Sequence, residues 1–382
     1  MTPQSIILPG ATVGILGGGQ LGRMLAIAAK QMGYAVAIFS PDPNSPAGQV
    51  ADREVVARYD DLEAVRAFAR SVDVVTFEFE NVPSITTEAA AECAPVRPNG
   101  HVLHITQQRL REKGFLQEQG FPVTPFRRVQ NLSDLEEAAR ELKLPGVLKT
   151  ASFGYDGKGQ TMLRSTQDLP SAFALLKGAE GIYEAFVDFE KEISVVGART
   201  FSGEFQAFPV FENTHAHHIL DVTFAPAAIS VGQTQEAHRL AAGILEALDV
   251  VGLLTVEMFV ARDGRILVNE LAPRTHNSGH LTLDACPTSQ FEQQLRAVCG
   301  LPLGDVSLRR PAAMANLLGH LWEKGVPNWF AAMKDPAVKL HLYGKSDARV
   351  GRKMGHINAA GNSVDEAVRR VRDARDRLLE RG

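Results

Sequence analysis

Two glutamates, Glu257 and Glu270, stand where a β-hairpin would bring them face to face. Asp263-Gly264 separates two apolar runs and is the strongest short hairpin signal in the chain. If these two residues form the turn, positions whose numbers sum to 527 lie opposite each other, so Glu257 faces Glu270. Like charges about 5 Å apart weaken a sheet unless a cation lies between them. Mg²⁺ suits this position, because it binds one or two carboxylates and leaves sites for water and phosphate oxygens.

A simpler arrangement of the two glutamates needs no metal. One side chain would point into solvent, or it would pair with a nearby arginine such as Arg274. The hairpin spacing alone does not choose between the two arrangements.

A glycine-rich segment follows a short apolar strand predicted over 147–150. It reads Gly154-Tyr155-Asp156-Gly157-Lys158-Gly159-Gln160, and we expect it to form a mobile loop. Flexible backbone amides and a lysine suit an anion such as phosphate, although the segment lacks the GK[ST] ending of a P-loop. A surface loop that merely contains glycines is the alternative. Lys149 favours phosphate, because its ammonium lies within the apolar strand and needs a partner there.

A second glycine motif, GxGxxG, spans 17–22 near the N-terminus, between a predicted strand and a predicted helix, with Asp42 about twenty residues further on. This spacing is typical of dinucleotide binding. Any phosphate can use the same turn and helix N-terminus, so we favour a phosphorylated substrate over a nicotinamide or flavin cofactor.

Two clusters of basic side chains could also bind ligands. His215, His217 and His218 are dense enough for a transition metal, but such a trio on a polar loop is more often solvated. A second group lies in a glycine-punctuated region, where loop cations suit a phosphate monoester unless they are simply a charged surface. Its members are Lys345, Arg349, Arg352 and Lys353.

The surrounding elements predict an α/β protein of two or three domains. Apolar runs at 12–16, 35–39 and 72–79, with a helical pattern between the first two, indicate parallel strands. Proline and glycine become frequent at 95–100, which favours a domain boundary near 100–110. A later helix is predicted to begin with a capping box of Ser133 and Glu136, and the pattern turns strand-rich after about residue 181.

Composition narrows the class of protein. The chain has 382 residues, 45% of them apolar and 22% charged, which is typical of a folded enzyme rather than a disordered segment. A net charge of -4 gives no basic footprint for nucleic acid. No membrane span or signal peptide is predicted, and the three cysteines form no CxxC pair, so we expect a cytoplasmic protein with free thiols.

Together these segments resemble the ATP-grasp superfamily and, within it, the N5-carboxyaminoimidazole ribonucleotide synthetases of purine biosynthesis. The resemblance extends over nearly the whole chain and is carried by long motifs in the same order. These are 17–24 (GGGQLGRM), 78–83 (EFENVP), 154–160 (GYDGKGQ), 269–274 (NELAPR), 276–280 (HNSGH), 343–345 (YGK) and 351–353 (GRK).

The resemblance implies an ATP-grasp fold with three domains. These would be a Rossmann-like parallel-sheet domain over 1–108, an α+β lid over 109–185 and a C-terminal mixed-sheet domain over 186–382. ATP would lie between the lid and the C-terminal domain, with 184–187 around adenine, Glu192 at the ribose and Mg²⁺ on Glu257 and Glu270. The implied nucleotide-binding residues are Arg109, Lys149, Gly154, Tyr155, Asp156, Gly157, Lys158, Gly159, Gln160, Glu184, Ala185, Phe186, Val187, Glu192, His215, Asn269 and Glu270.

The implied reaction joins bicarbonate to the amine of aminoimidazole ribonucleotide through carboxyphosphate. The resemblance also implies that the enzyme is a homodimer. The implied catalytic residues are Arg274, Lys158, Asp156, Tyr155, His276 and Asn277, and the implied substrate-binding residues are Gln20, Leu21, Glu78, Lys345, Arg352 and Lys353. Three other functions stay open. They are a formate-dependent ribonucleotide transformylase, a dinucleotide-dependent oxidoreductase and a nucleotide-binding regulatory protein without turnover.

Overall fold

The computed structural model describes residues 5–152 and 159–380. Its first part is a four-stranded sheet in the order β3-β2-β1-β4, and every strand pair in it is parallel, as predicted. The strands are β1 (Thr12–Leu16), β2 (Ala35–Ser40), β3 (Arg53–Val56) and β4 (Val74–Phe77). The accompanying helices are α1 (Gln20–Gln31), α2 (Leu62–Ala69) and α3 (Ser84–Ala91).

A smaller antiparallel sheet follows two connecting helices, α4 (Gly100–Thr106) and α5 (Arg109–Glu118). Its order is β5-β8-β6-β7, and its helices pack on it through buried leucines and alanines. The elements are β5 (Phe126–Val129), α6 (Leu132–Leu142), β6 (Gly146–Thr150), β7 (Gln160–Leu163), α7 (Leu169–Leu175) and β8 (Gly181–Ala185).

The third part is a nine-stranded sheet whose strand pairs are antiparallel, in the order β14-β13-β9-β11-β12-β15-β17-β16, with β10 paired to β9. Its strands are β9 (Phe189–Arg199), β10 (Phe205–Ala207), β11 (Phe211–Ala216), β12 (Ile219–Ala225), β13 (Gly252–Ala261), β14 (Ile266–Ala272), β15 (Ala312–Leu318), β16 (Val338–Leu342) and β17 (Lys353–Ala360). Its helices are α8 (Val231–Ala247), α9 (Thr282–Ala285), α10 (Gln290–Cys299), α11 (Trp329–Ala332) and α12 (Val364–Arg377).

Both faces of the parallel sheet are covered, so β1, β2 and β4 are buried on both sides, while the edge strand β3 stays partly exposed. Val13 and Ile15 pack with α1 on one face, and α10 from the third part completes that face through Phe291. Leu16 and Phe77 point to the other face, against α2 and α3. The N-terminal sheet is therefore fixed to the third part of the chain, and the three-part α/β architecture is confirmed. The domain limits given above stay predictions.

The β13–β14 hairpin confirms that Glu257 faces Glu270, but the predicted two-residue turn is wrong. Ala261 pairs with Arg265, so the loop has three residues, and Gly264 takes a positive φ of 87°. That shifts the ladder by one residue, and a bulge at Asn269 shifts it back. The two offsets cancel just before the glutamates, and the bulge turns Asn269 and Glu270 toward the same cleft.

The predicted capping box of Ser133 and Glu136 is also wrong. Helix α6 begins two residues earlier, where Asn131 accepts from the backbone N–H of Asp134 and Asp134 accepts from the backbone N–H of Asn131. Both pairs have the same spacing, and an asparagine is at least as good an N-cap as a serine. The helical spacing of apolar residues in α6 is compatible with a helix that begins at either of these two positions.

We expect Asn131→Ala to loosen α6, because it removes the side chain that binds an otherwise unpaired amide. The loss is about 1 kcal/mol, or roughly a fivefold fall in amide protection over 132–142, measured by hydrogen exchange. Ser133→Ala is the matched control, since Ser133 is exposed and lies inside the helix. Equal effects of the two substitutions would contradict this assignment of the cap.

Candidate active site

A cleft of about 1290 Å³ lies where the three parts of the chain meet. The loop after β4 and the glycine turn before α1 form one side, while β6 and β8 of the small sheet form another. Strands β9, β13 and β14 and the segment 345–353 complete it. The cleft is lined by the described residues assigned from the sequence to nucleotide, metal and substrate, with the exception of Gly159. The assigned residues Gly154, Tyr155, Asp156, Gly157 and Lys158 lie outside the described residues.

Each of the paired glutamates has a basic partner. Arg109 Nη1 donates to Glu270 Oε2 at 2.8 Å, and His276 Nε2 lies 3.0 Å from Glu257 Oε1. The alternative that one glutamate pairs with an arginine is therefore found for Glu270, although the arginine is Arg109 and not Arg274. Burial raises the pKa of Glu270, but the charge and hydrogen bond of Arg109 outweigh it and hold that pKa well below its usual range. Glu270 is therefore ionised, as a metal ligand must be.

Lys149 also has a protein partner, Glu184. Its Nζ donates to Glu184 Oε2 at 2.7 Å, and the fully buried Lys113 lies 3.6 Å from the other oxygen. Burial raises the pKa of Glu184, but the two lysine charges prevail and bring it to about 2. The Lys149 ammonium is predicted to need a partner, and that partner is Glu184 on the neighbouring strand β8.

Glu112 lines the cleft and the fully buried Lys113 contacts residues that line it, and neither was predicted from the sequence. Both lie on α5, one turn after Arg109, and Lys113 Nζ donates to the Asn269 carbonyl at 2.9 Å. Leu271 N–H donates to Glu112 Oε2 at 3.1 Å. Burial and the nearby Glu270 charge raise the pKa of Glu112. The spacing of three and four residues from Arg109, which places all three residues on one face of a helix, was the available signal.

His215 pairs with Glu192 across β11 and β9. His218 Nδ1 lies 3.1 Å from the Gln160 amide, so the histidines contact different groups. Over 5–152 and 159–380, no three His, Cys, Asp or Glu side chains form a group that could bind a metal ion. The histidine trio is therefore not a metal centre in this part of the chain.

The tautomer of His276 follows from its hydrogen bonds. The backbone N–H of Ser278 donates to His276 Nδ1 at 3.3 Å, and the Ser278 hydroxyl lies 2.8 Å from the same atom. Because a backbone N–H can only donate, Nδ1 is the acceptor and the ring proton belongs on Nε2. Nε2–H therefore donates to Glu257, which orients this carboxylate.

A buried chain of hydroxyls and an amide supports this arrangement. Thr223 donates to Asn213 at 2.9 Å, Asn213 donates to Ser194 at 3.0 Å, and Ser194 donates to Ser278 at 2.8 Å. Every hydrogen bond in this chain is donated in the direction of His276, so the Ser278 hydroxyl is free to donate its own proton to His276 Nδ1. No local pattern predicts this chain of hydrogen bonds, since its members come from three strands and a short 3-10 helix.

Two asparagine side chains in the cleft have buried polar atoms without partners. Both amide atoms of Asn277 lack a hydrogen bond in the described part of the chain, as does Asn269 Oδ1. Buried polar groups are normally satisfied, so such atoms indicate a place where a ligand or ion completes the bonding. Asn277 offers one donor group and one acceptor, and Asn269 offers an oxygen beside Glu270.

Two carboxylates follow β4 directly. Glu78 is buried and accepts from the backbone N–H of Gly19 at 2.8 Å and of Gly22 at 3.1 Å, so it occupies the GxGxxG turn. Glu80 accepts a hydrogen bond from Arg274 Nε. The glycine turn thus binds an internal carboxylate through two of the amides that a dinucleotide would need.

The basic segment after β16 reaches the same end of the cleft. Lys345 Nζ donates to Gln20 Oε1 at 2.6 Å and to the Lys353 carbonyl at 2.7 Å. Arg352 Nη1 donates to the Asp347 carbonyl at 2.8 Å. Lys345, Arg352 and Lys353 line the cleft beside Gln20, as the assignment of a phosphate group to them requires.

The hinge between the small and large sheets also lines the cleft. Glu184 and Ala185 end β8, and Phe186 and Val187 lead into β9. Phe186 is 43% exposed although it is a large apolar side chain. An apolar surface at a hinge suits a flat aromatic ring such as adenine.

Comparisons with known proteins give the family of the chain. Residues 10–107 match the ribonucleotide synthetase preATP-grasp domain, 114–291 match the ATP-grasp domain, and 312–370 match the phosphoribosylaminoimidazole carboxylase C-terminal domain. The chain is therefore an ATP-grasp ligase.

The relatives define the family more narrowly. N5-carboxyaminoimidazole ribonucleotide synthase of Bacillus subtilis is 45% identical over 96% of both chains. A solved ADP complex of an N5-carboxyaminoimidazole ribonucleotide synthetase is 46% identical, has a TM-score of 0.92 and covers 98% of both chains. The Aspergillus clavatus enzyme, solved with ADP and 5-aminoimidazole ribonucleotide, is 31% identical with a TM-score of 0.88, over 96% of this chain and 98% of that one. This chain belongs to the N5-carboxyaminoimidazole ribonucleotide synthase family.

Two further expectations can be compared with the structure. None of the helices in the described part of the chain is long and apolar enough to cross a membrane. The three cysteines are free, with Cys286 and Cys299 buried and Cys93 partly exposed. Burial raises the pKa of Cys286 to about 12 and that of Cys299 to about 11, so both thiols stay protonated and unreactive.

The His215–Glu192 pair predicts a pH dependence of stability. Burial lowers the pKa of His215, but the hydrogen bond and charge of Glu192 outweigh it and raise the pKa above 6.5. The stabilisation is therefore complete below about pH 6.5 and is lost as pH rises through the folded-state pKa. We expect the unfolding temperature of the wild type to fall more between pH 6 and 8.5 than that of His215→Gln. His320→Gln, at an exposed histidine, should behave like the wild type; equal slopes in all three proteins would contradict the pairing.

Proposed function

We propose that this chain carboxylates 5-aminoimidazole ribonucleotide with bicarbonate and ATP, yielding N5-carboxyaminoimidazole ribonucleotide, ADP and phosphate in purine biosynthesis. The observation that carries the proposal is the position of Glu257 and Glu270. They face each other in a cleft that also contains Arg109, Lys149 and Arg274. Acidic metal ligands beside several cations are what transfer of a phosphoryl group to a small anion requires.

Glu257 and Glu270 would hold Mg²⁺, and the donor set fits this ion. Two carboxylates with Asn269 Oδ1 nearby are all oxygen ligands, and Asn269 Oδ1 has no partner in the described residues. When bound, Mg²⁺ neutralises the charge of the phosphates and polarises the group being transferred. His276 Nε2–H would keep Glu257 oriented toward it.

Nucleotide binding would exchange partners within the cleft. Arg109 now pairs with Glu270, and Lys149 pairs with Glu184. Phosphate oxygens would take these two cations while Mg²⁺ takes Glu270, so no buried charge is left without a partner. The adenine would occupy the hinge 184–187, and Glu192 would bind the ribose hydroxyls near His215.

Bicarbonate would bind at Arg274 and Asn277. Arg274 supplies N–H donors for its anionic oxygens. The Asn277 amide can donate to one oxygen and accept from the bicarbonate O–H, which satisfies both of its unpartnered atoms. Formate has no O–H, so it would leave the Asn277 carbonyl oxygen unsatisfied, and this difference favours bicarbonate.

The reaction would then proceed in two steps. A bicarbonate oxygen attacks the γ-phosphorus, the bond to the bridging oxygen breaks, and ADP leaves with carboxyphosphate formed. The exocyclic amine next attacks the carboxyl carbon, or the CO₂ released from it, and phosphate leaves as the amine loses a proton. From the family resemblance, we assign Asp156, Tyr155 and Lys158 to the part of the cleft where these two steps take place. Closure of the lid would protect the intermediate from water.

The phosphate of the ribonucleotide would bind at Lys345, Arg352 and Lys353, next to Gln20 and Leu21. Glu78 holds the turn that carries these last two residues, and its amide contacts argue against a dinucleotide cofactor there. We further propose that the protein is a cytoplasmic homodimer, as the family resemblance implies. Only small-molecule substrates are required by this mechanism.

The function is tested by ADP release in mixtures that contain Mg²⁺ and ATP. We expect release only when bicarbonate and 5-aminoimidazole ribonucleotide are both present, because acyl phosphate formation and its capture by the amine are coupled in one cleft. Formate with glycinamide ribonucleotide is the matched pair for the transformylase. Turnover with that pair alone would change the substrate, and binding of ATP without ADP release in any mixture would leave a regulatory protein.

A further inference from the structure

The N-terminal part of the chain contacts Arg274 through Glu80. This residue lies in the loop after β4, and its carboxylate accepts from Arg274 Nε, 194 residues further along the chain. The loop itself is held by Gln107, whose side-chain amide donates to the Glu80 carbonyl at 2.7 Å and to the Val82 carbonyl. Glu80 is thus anchored before it meets the guanidinium.

The Arg274 guanidinium is held by two hydrogen bonds, one from Nε and one from Nη1. Nε bonds to Glu80, and Nη1 donates to the Thr275 carbonyl at 3.1 Å. A guanidinium has five N–H donors in a planar fork, so these two bonds set its plane and leave donors for an anion in the cleft. The side chain is 15% exposed and lines that cleft.

We propose that Glu80 is a positioning residue for carboxylation, holding the Arg274 fork in the plane that binds bicarbonate and the acyl phosphate formed from it. This inference rests on the proposed function. Glu80 would act through Arg274, without itself contacting a reactant.

The physical need for such a residue comes from the length of arginine. A free arginine side chain loses conformational entropy when it is ordered, and without Glu80 that cost would fall on the transition state. Misplacement of a group by about 1 Å can slow a reaction roughly 100-fold. Burial raises the pKa of Glu80, but the charge and hydrogen bond of Arg274 bring it down to about 2, so the contact persists at neutral pH.

The test compares Glu80→Ala with Glu80→Gln in the wild-type assay of bicarbonate-dependent ADP release. We expect Glu80→Ala to lower kcat roughly 10- to 100-fold. Glu80→Gln should stay within about threefold of the wild type, because its amide oxygen can still accept from Nε. The Kd of ADP should change by less than about twofold in both, since nucleotide contacts are untouched; a kcat of Glu80→Ala equal to that of the wild type would overturn the proposal.

A double-mutant cycle shows whether Glu80 acts through Arg274. In an Arg274→Ala background, Glu80→Ala should have no further effect on kcat. An equal loss in both backgrounds would overturn the proposal. Glu92→Ala is the control, because it removes one of the two carboxylate partners of Arg66 in the same N-terminal part, where neither residue lines the cleft, and it should leave kcat unchanged.

Two outcomes separate this proposal from the proposed function. If the wild type shows no bicarbonate-dependent release, the function itself fails; if it does and Glu80→Ala matches it, only the role of Glu80 fails. Should Glu80→Ala not fold, Glu80→Asp keeps the charge but shortens the side chain by one methylene. That variant should also lose kcat, and wild-type turnover by it would overturn the inference.

Discussion

Two carboxylates that face each other across the β13–β14 ladder set the electrostatic requirements of the whole cleft. Two carboxylates this close together need stabilising partners, and the structure brings the positive charge of Arg109 to Glu270 and the Nε2–H donor of His276 to Glu257. Glu270 pairs with Arg109 of α5, and His276 is held in place by a chain of hydrogen bonds that extends through the large sheet. The three parts of the chain are therefore arranged around this pair.

The same requirement explains why the cleft already contains so many ion pairs. Lys149 and Lys113 meet at Glu184, so the cation that ATP would need is kept paired until the nucleotide arrives, whereas Glu80 stays on Arg274 and orients it for bicarbonate. A buried charge without a partner is expensive, whereas exchange of one partner for another costs much less. Nucleotide binding is therefore an exchange of partners within a fixed framework.

Sequence reasoning reached the fold class, the parallel N-terminal sheet and the glutamate pair, because strand alternation and hairpin signals are local. The predicted pairing of Glu257 with Glu270 is confirmed although the predicted two-residue turn is wrong, because the three-residue loop and the bulge at Asn269 shift the register in opposite directions. Long-range contacts were out of reach. Arg109 lies 161 residues from Glu270, and no local spacing predicts that contact. The cap of α6 was misplaced because Asn131 and Ser133 offer equivalent local signals.

The most direct test of the account is the effect of Mg²⁺ on ADP binding, measured by calorimetry with and without the ion. Wild-type affinity should rise with Mg²⁺, and Glu257→Gln and Glu270→Gln should each lose most of that rise. Without Mg²⁺, Glu270→Gln should bind ADP at least as tightly as the wild type, because Arg109 is released to the phosphates. Glu292→Gln, at an ion pair on α10, should match the wild type throughout. An unchanged Mg²⁺ effect in both cleft variants would contradict the account.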